Sequence, residues 1–200
     1  MTKVKLCSMR RPEDIAAVNE IGPDAIGFIF VQGRKRYISP ETAAGLKGLL
    51  KPEIKAVGVF IDEDREVVAD IANRGIIDVI QLHGSESDGY IAELRKLVKL
   101  PIIKVFKIES PEDAAKAEAS TADLILADSG NGGTGELGRW DLIKLIKRDY
   151  ILAGGLNPEN VGEAVKELHP YAVDTSSGVE TDGLKDPDKM IAFTQNARNA

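Results

Sequence analysis

The chain has 200 residues, of which 43% are hydrophobic and 29% are charged, a balance typical of an ordinary soluble enzyme. Its net charge of -6 disfavours a general nucleic-acid role, because a polyanion would meet a surface of the same sign. A single cysteine excludes an intramolecular disulfide, and no apolar run approaches the roughly 20 residues of a membrane span. We therefore expect a cytoplasmic protein that binds neither nucleic acid nor membrane.

Short apolar runs recur along the chain and alternate with segments of helical pattern. The run AIGFIF is apolar throughout, as a strand buried on both faces requires. We predict strands at residues 4–7, 25–30, 56–61, 78–82, 101–106, 122–127, 151–153 and 172–173. Helices are predicted at residues 12–19, 40–50, 64–72, 87–98, 140–147 and 187–197, with further helices starting at 111 and 158. Ser110 and Asn157 are the predicted N-caps of those last two.

Strands that alternate with helices imply parallel pairing, so the fold class is α/β. Eight such units most naturally close into a (β/α)₈ TIM barrel with a parallel eight-stranded sheet. An open doubly wound sheet is the alternative, but its glycine fingerprint would follow the first strand. That strand ends here in Cys7, Ser8 and Met9. No linker interrupts the pattern, and residues 1–200 are predicted to form one barrel domain.

Glycine and serine follow the last two predicted strands. Gly154 and Gly155 follow the seventh, and Ser177 and Gly178 follow the eighth. Residues with little or no side chain let a ligand contact backbone N–H groups directly. Phosphate binds between these two loops in many barrels of this kind. The sequence therefore predicts a phosphate site at this position.

Reactive side chains also gather at the predicted carboxyl ends of the strands, where barrel enzymes hold their active sites. They are Cys7, Arg34, Arg36, Gln81, His83, Asp128 and Asp174.

Four of these residues also have a purely structural interpretation. Cys7 is either a buried small hydrophobe or, beside a cation, a thiolate base. Asp128 is either a loop cap or an acid whose pKa is raised by burial. Arg36 is either a surface loop residue or a bidentate partner for a ligand carboxylate. His83 either binds substrate or is a hydrogen-bonded residue of the barrel rim.

Two other functions compete with acid–base chemistry. Lys104 or Lys107, in and after the fifth strand, would suit a Schiff-base aldolase, and strand alternation in IIKVFKI leaves open which lysine faces the axis. A barrel that binds phosphorylated ligands without turnover is the second alternative. Two histidines do not supply the usual His-rich set of a transition-metal site, so we expect no metal.

Taken together, several segments resemble the phosphoribosylanthranilate isomerase family of tryptophan biosynthesis. The resemblance runs almost end to end and rests on KLCSMRRPEDI, GFIFVQGRKRYISP, IQLHG, ADSGNGGTG followed by Trp140 and Asp141, AGGLNPENV, and VDTSSGVETDGLKD. Four positions differ from the usual family residues: Ser8 stands in place of Gly, Arg34 in place of Ser, Glu136 in place of Lys or Gln, and Gly138 in place of Phe.

The resemblance implies an Amadori rearrangement of a small phosphosugar, with Cys7 as general base and Asp128 as general acid and without cofactor or metal. It places the substrate phosphate on backbone amides near Gly133, Gly155, Ser177 and Gly178, and the anthranilate carboxylate on Arg36. The other expected substrate-binding residues are Gln81, His83, Gly154 and Asp174. The sequence leaves open whether the protein is a monomer or a homodimer.

Overall fold

Parallel strands pair in chain order and the last pairs with the first, so the sheet closes into a barrel. The computed structural model describes residues 1–130 and 139–200. Within these residues the barrel strands are β1 (Lys3–Leu6), β2 (Ala25–Ile29), β3 (Lys55–Phe60), β4 (Val79–Leu82), β5 (Ile102–Lys107), β6 (Leu124–Asp128), β7 (Tyr150–Ala153) and β8 (Ala172–Thr175). The predicted eight-stranded parallel barrel is confirmed, and the open sheet is not the fold.

A helix lies between each strand and the next, and one more follows β8. Serine side chains at positions 39, 87 and 110 accept hydrogen bonds from first-turn N–H groups, which explains where three helices begin. None of the described helices is both long and apolar enough to cross a membrane. The helices are α1 (Pro12–Ile21), α2 (Pro40–Leu49), α3 (Arg65–Asn73), α4 (Asp88–Leu97), α5 (Pro111–Ala119), α6 (Trp140–Ile143), α7 (Val161–Leu168) and α8 (Pro187–Asn199).

Side-chain alternation along the strands separates two apolar cores. One fills the barrel interior and includes Val57, Ile103, Leu126 and Ile151. The other lies between the sheet and the helices and includes Phe28, Phe60, Leu152 and Phe193. Because side chains alternate in a strand, residues two positions from an inward apolar side chain also face inward. By this alternation, the side chains of Gln81, Asp128 and Asp174 point towards the barrel axis.

Two predicted helices begin or end elsewhere. The seventh starts at Val161, three residues later than predicted, because Asn157 Oδ1 accepts from the N–H groups of Glu159 and Asn160 and forms a separate turn. The sixth ends at Ile143 instead of residue 147. There the N–H groups of Lys147 and Arg148 donate to the Glu118 carboxylate, not to helical carbonyls.

The chain after β7 also holds structure that the sequence pattern did not indicate. Strand β8 continues through Asp174 and Thr175, although the apolar run stops at Val173. A short 3₁₀ helix, Ser177–Val179, and a hairpin of β9 (Glu180–Thr181) and β10 (Leu184–Lys185) follow it. Polar residues dominate this stretch, so hydrophobic periodicity does not reveal its strands.

Ser8 adopts the left-handed backbone conformation that favours glycine, with φ 72°. The N–H groups of Ser8 and Met9 both donate to the Gly27 carbonyl, which fixes this turn at the end of β1. The Ser8 hydroxyl lies 2.7 Å from the hydroxyl of Ser176, beyond β8. The serine therefore combines an unfavourable backbone with a hydrogen bond that glycine cannot make.

We predict that Ser8→Gly will be more stable than Ser8→Ala by about 1 kcal/mol, since both lose the hydroxyl and only glycine relieves the left-handed strain. Equilibrium urea unfolding monitored by circular dichroism measures the difference. Ser176→Ala is the matched control, because it removes the same hydrogen bond and leaves residue 8 unchanged. If Ser8→Ala were as stable as Ser8→Gly, the left-handed backbone at residue 8 would not be a source of strain.

Candidate active site

A cavity of about 290 Å³ opens at the carboxyl ends of the strands. Nine of the predicted site residues line it: Cys7, Gln81, His83, Asp128, Gly154, Gly155, Asp174, Ser177 and Gly178. Arg36 is not among the lining residues, and Gly133 lies outside the described residues. Side chains from widely separated parts of the sequence therefore face one small volume.

Cys7 follows β1 directly, and its N–H donates to the Thr175 carbonyl at 2.8 Å. The residue is 6% exposed and belongs to neither apolar core, although it is buried. Its sulfur lies over Gly27 of β2, where an added Cβ would come within 2.5 Å of Sγ. The absence of a side chain at Gly27 thus leaves the space that the sulfur occupies at the cavity wall.

A buried ion pair lies next to Cys7. Lys5 Nζ donates to Asp174 Oδ1 at 2.8 Å, joining β1 to β8. Burial lowers the pKa of Lys5, but the charge of Asp174 and the hydrogen bond to it act in the opposite direction, and the net pKa is raised. The ammonium group therefore stays charged beside the sulfur. Asp174, expected to bind substrate, already has this cation as a partner.

Asp128 is the last residue of β6 and is half-buried at the cavity wall. Its Oδ1 accepts from the N–H of Gly130 at 3.0 Å, which is the loop-capping role considered from the sequence. Within residues 1–130 and 139–200, no group donates to its Oδ2. Among the described residues, the carboxylate therefore caps the loop with Oδ1 alone.

Two uncharged polar groups line the cavity at the end of β4. Burial lowers the pKa of His83, although Asp128 and Asp174 oppose this effect, so the imidazole is neutral near pH 7 and offers one donor and one acceptor. Gln81 is 1% exposed, and its Oε1 has no hydrogen-bond partner in the described part of the chain. A buried acceptor of this kind calls for a donor from a bound molecule.

The loops after β7 and β8 pack against each other at the cavity edge. The Thr175 hydroxyl donates to the Leu156 carbonyl at 2.7 Å. A Cβ added to Gly178 would fall 2.0 Å from the same carbonyl oxygen, so no larger residue fits there without movement. This close approach puts the backbone of Gly155, Ser177 and Gly178 beside the cavity. Loops of this composition are suited to an anion that rests on main-chain N–H groups.

Arg36 makes a bidentate ion pair that sequence reasoning missed. Its Nε and Nη2 donate to Oε1 and Oε2 of Glu180 at 3.0 and 2.7 Å. The contact joins the loop after β2 to the β9–β10 hairpin, 144 residues later in the chain. No local pattern indicates a pair at that separation, so only the fold could reveal it.

Neither of the two lysines considered for a Schiff-base aldolase places its amine in the cavity. Lys104 alternates with the interior residues Ile103 and Val105, so it faces the helices, and its Nζ donates to the Gly84 carbonyl and Glu86. Lys107 is exposed at the rim, where hydrogen bonding and charge from Glu109 raise its pKa. Neither lysine lines the cavity.

No cluster of three or more His, Cys, Asp or Glu side chains suited to a metal ion occurs within residues 1–130 and 139–200.

Comparison with known proteins agrees with this geometry. Residues 4–196 match the family model described as N-(5'-phosphoribosyl)anthranilate (PRA) isomerase. The chain is 41% identical over 203 residues to the N-(5'-phosphoribosyl)anthranilate isomerase of Endomicrobium trichonymphae, with 100% of both chains covered. The crystal structure of phosphoribosyl anthranilate isomerase from Thermotoga maritima matches with a TM-score of 0.89 and 36% identity over 100% of both chains.

A further solved structure is of phosphoribosyl anthranilate isomerase in complex with reduced 1-(o-carboxyphenylamino)-1-deoxyribulose 5-phosphate. It matches with a TM-score of 0.85 and 34% identity, again over 100% of both chains. These matches extend over the whole barrel and not over one motif. The chain belongs to the N-(5'-phosphoribosyl)anthranilate isomerase family.

Proposed function

We propose that this enzyme converts N-(5'-phosphoribosyl)anthranilate to 1-(2-carboxyphenylamino)-1-deoxyribulose 5-phosphate in tryptophan biosynthesis. The observation that carries the proposal is the placement of Cys7 and Asp128 on one cavity, beside the loops after β7 and β8. One base, one acid and a site that binds the phosphate are sufficient for an aldose–ketose isomerisation. Family membership supports the same reaction.

In the proposed mechanism Asp128 acts first, as general acid. It protonates the furanose ring oxygen, the ring opens, and a Schiff base forms between C1 and the anthranilate nitrogen. The Cys7 thiolate then takes the proton from C2, which gives an enolamine that tautomerises to the ketone. The Lys5 ammonium beside the sulfur supports this role, since a nearby cation stabilises a thiolate.

The substrate phosphate is proposed to rest on main-chain N–H groups near Gly155, Ser177 and Gly178, with Gly133 as a further contributor outside the described residues. Tight binding of this non-reacting group holds the sugar in a reactive geometry. Gln81 Oε1, a buried acceptor without a partner in the described residues, suits a sugar hydroxyl as donor.

We predict that Cys7→Ala and Asp128→Asn will each lower kcat by about 100-fold or more, the contribution typical of a positioned acid or base. Purified variants are assayed by following loss of N-(5'-phosphoribosyl)anthranilate. Circular dichroism and thermal melting establish that each variant is folded.

Lys107→Met is the matched control, because the side chain is exposed and the isomerase mechanism does not use it. It should retain wild-type turnover, whereas an aldolase that used Lys107 would lose it. Near-normal rates in both Cys7→Ala and Asp128→Asn would contradict the proposed roles of these residues as base and acid. Binding of the phosphosugar by wild-type protein without turnover would instead favour the non-catalytic barrel.

We predict that Gly27→Ala will lower kcat by about 10- to 100-fold, because the new Cβ must displace the Cys7 sulfur from its position. Steady-state kinetics and thermal melting measure the effects on turnover and stability separately. Gly45→Ala is the control, since a Cβ there meets nothing within 4 Å. Wild-type kcat in Gly27→Ala would show that the sulfur's position is not critical.

A further inference from the structure

Glu180 lies at the centre of a charged group that we call the Glu180 cluster: Arg36, Glu180 and Lys185. Glu180 Oε1 accepts from Arg36 Nε at 3.0 Å and from Lys185 Nζ at 2.9 Å, and Oε2 accepts from Arg36 Nη2 at 2.7 Å. Only 6% of the Glu180 side chain is exposed. Both carboxylate oxygens are therefore committed to cations, and the carboxylate has little freedom to move.

The cluster connects the loop after β2, which holds Arg36, to the loop after β8. Lys185 Nζ donates to the Ser176 carbonyl at 2.6 Å, and Ser176 lines the cavity in the loop after β8. Lys189 Nζ donates to the Glu180 carbonyl at 3.0 Å, which ties the hairpin to α8. Arg36 thus reaches the proposed phosphate-binding loop through two ion pairs and one hydrogen bond.

Glu180 stays ionised at any pH at which such an enzyme works. Burial raises its pKa, but hydrogen bonds and charges from Arg36 and Lys185 outweigh burial and bring the pKa to about 2. Hydrogen bonding to Glu180 in turn raises the pKa of Arg36. Burial lowers the pKa of Lys185, although hydrogen bonding and charge from Glu180 oppose this effect.

The bidentate contact also leaves part of the guanidinium group available. Nε and Nη2 form one edge of the planar fork, and this edge is used by Glu180. Nη1 makes no hydrogen bond to any of the described residues. Because a guanidinium carries five N–H donors in fixed directions, the Nη1–Nη2 edge can still take a second carboxylate.

We propose that Glu180 is a positioning residue. It orients Arg36 so that the Nη1–Nη2 edge can bind the anthranilate carboxylate, and it fixes the position of that edge relative to the loop after β8. The inference rests on the proposed function. The inference predicts that removing the Glu180 charge weakens substrate binding. If Glu180 merely competed with the substrate carboxylate for Arg36, removing that charge would strengthen binding instead.

The test is steady-state kinetics of Glu180→Gln, Glu180→Asp, Arg36→Met and the double variant Arg36→Met/Glu180→Gln. Glu180→Gln should raise KM about 10-fold or more with a smaller change in kcat, since the loss is in binding the carboxylate. Glu180→Asp keeps the negative charge on a side chain that is one methylene shorter, and its KM should lie between those of the wild type and Glu180→Gln. The double variant should have the KM of Arg36→Met, because residues that act through one another are not additive.

Asp70→Asn is the matched control: it also converts a carboxylate facing an arginine, Arg74, into an amide, but on the exposed surface of α3. Its kinetics should equal those of wild type. If Glu180→Gln does not fold by circular dichroism, Glu180→Asp and the double variant carry the test.

A lower KM in Glu180→Gln, or additive effects in the double variant, would overturn the positioning role. An unchanged KM in Glu180→Gln, with an active wild type, would do so as well. Absence of isomerase activity in the wild type would instead count against the proposed function, so the two failures are distinguishable.

Discussion

The pairing of β1 with β8 is the contact on which the rest of the site depends. Four register pairs, from Lys3 with Ala172 to Leu6 with Thr175, bring together strands that are 169 residues apart at the Lys5–Asp174 contact. This closure puts the end of β1 next to the loop after β8. Cys7 and the proposed phosphate loop become neighbours only because the sheet joins its own first strand.

Lys5 inside the barrel and Glu180 at its mouth each lie against side chains of opposite charge, which is how a small interior tolerates them. The inward-facing Lys5 meets Asp174, and Glu180 meets two cations at the mouth. An isolated buried charge would cost several kcal/mol, whereas a hydrogen-bonded pair recovers much of that cost. The cavity can therefore carry ionised groups next to an apolar interior of Val57, Ile103 and Leu126.

The sequence predicted the barrel, and most of the residues it singled out line the cavity, for identifiable reasons. Apolar runs mark strands buried on both faces, and Cys7, Asp128 and the Gly–Ser loops all follow such runs directly. The polar end of β8 was not predicted, since Asp174 and Thr175 are not apolar and extend the strand by pairing with Lys5 and Leu6 of β1. Glu180 was missed because its partner lies 144 residues away. The division of residues 1–200 into one domain and the roles given to the site residues stay predictions.

Cys7 is the chain's only thiol, and this has a consequence for its oxidation chemistry. Oxidised cysteines in many proteins are rescued when a nearby thiol condenses with the sulfenic acid to form a disulfide. This chain offers no such resolving partner, so a sulfenic acid at Cys7 would either be reduced by an external thiol or proceed to the irreversible sulfinic form. Because this sole sulfhydryl lies at the wall of the cavity, irreversible oxidation would add oxygen atoms and charge to the cavity itself.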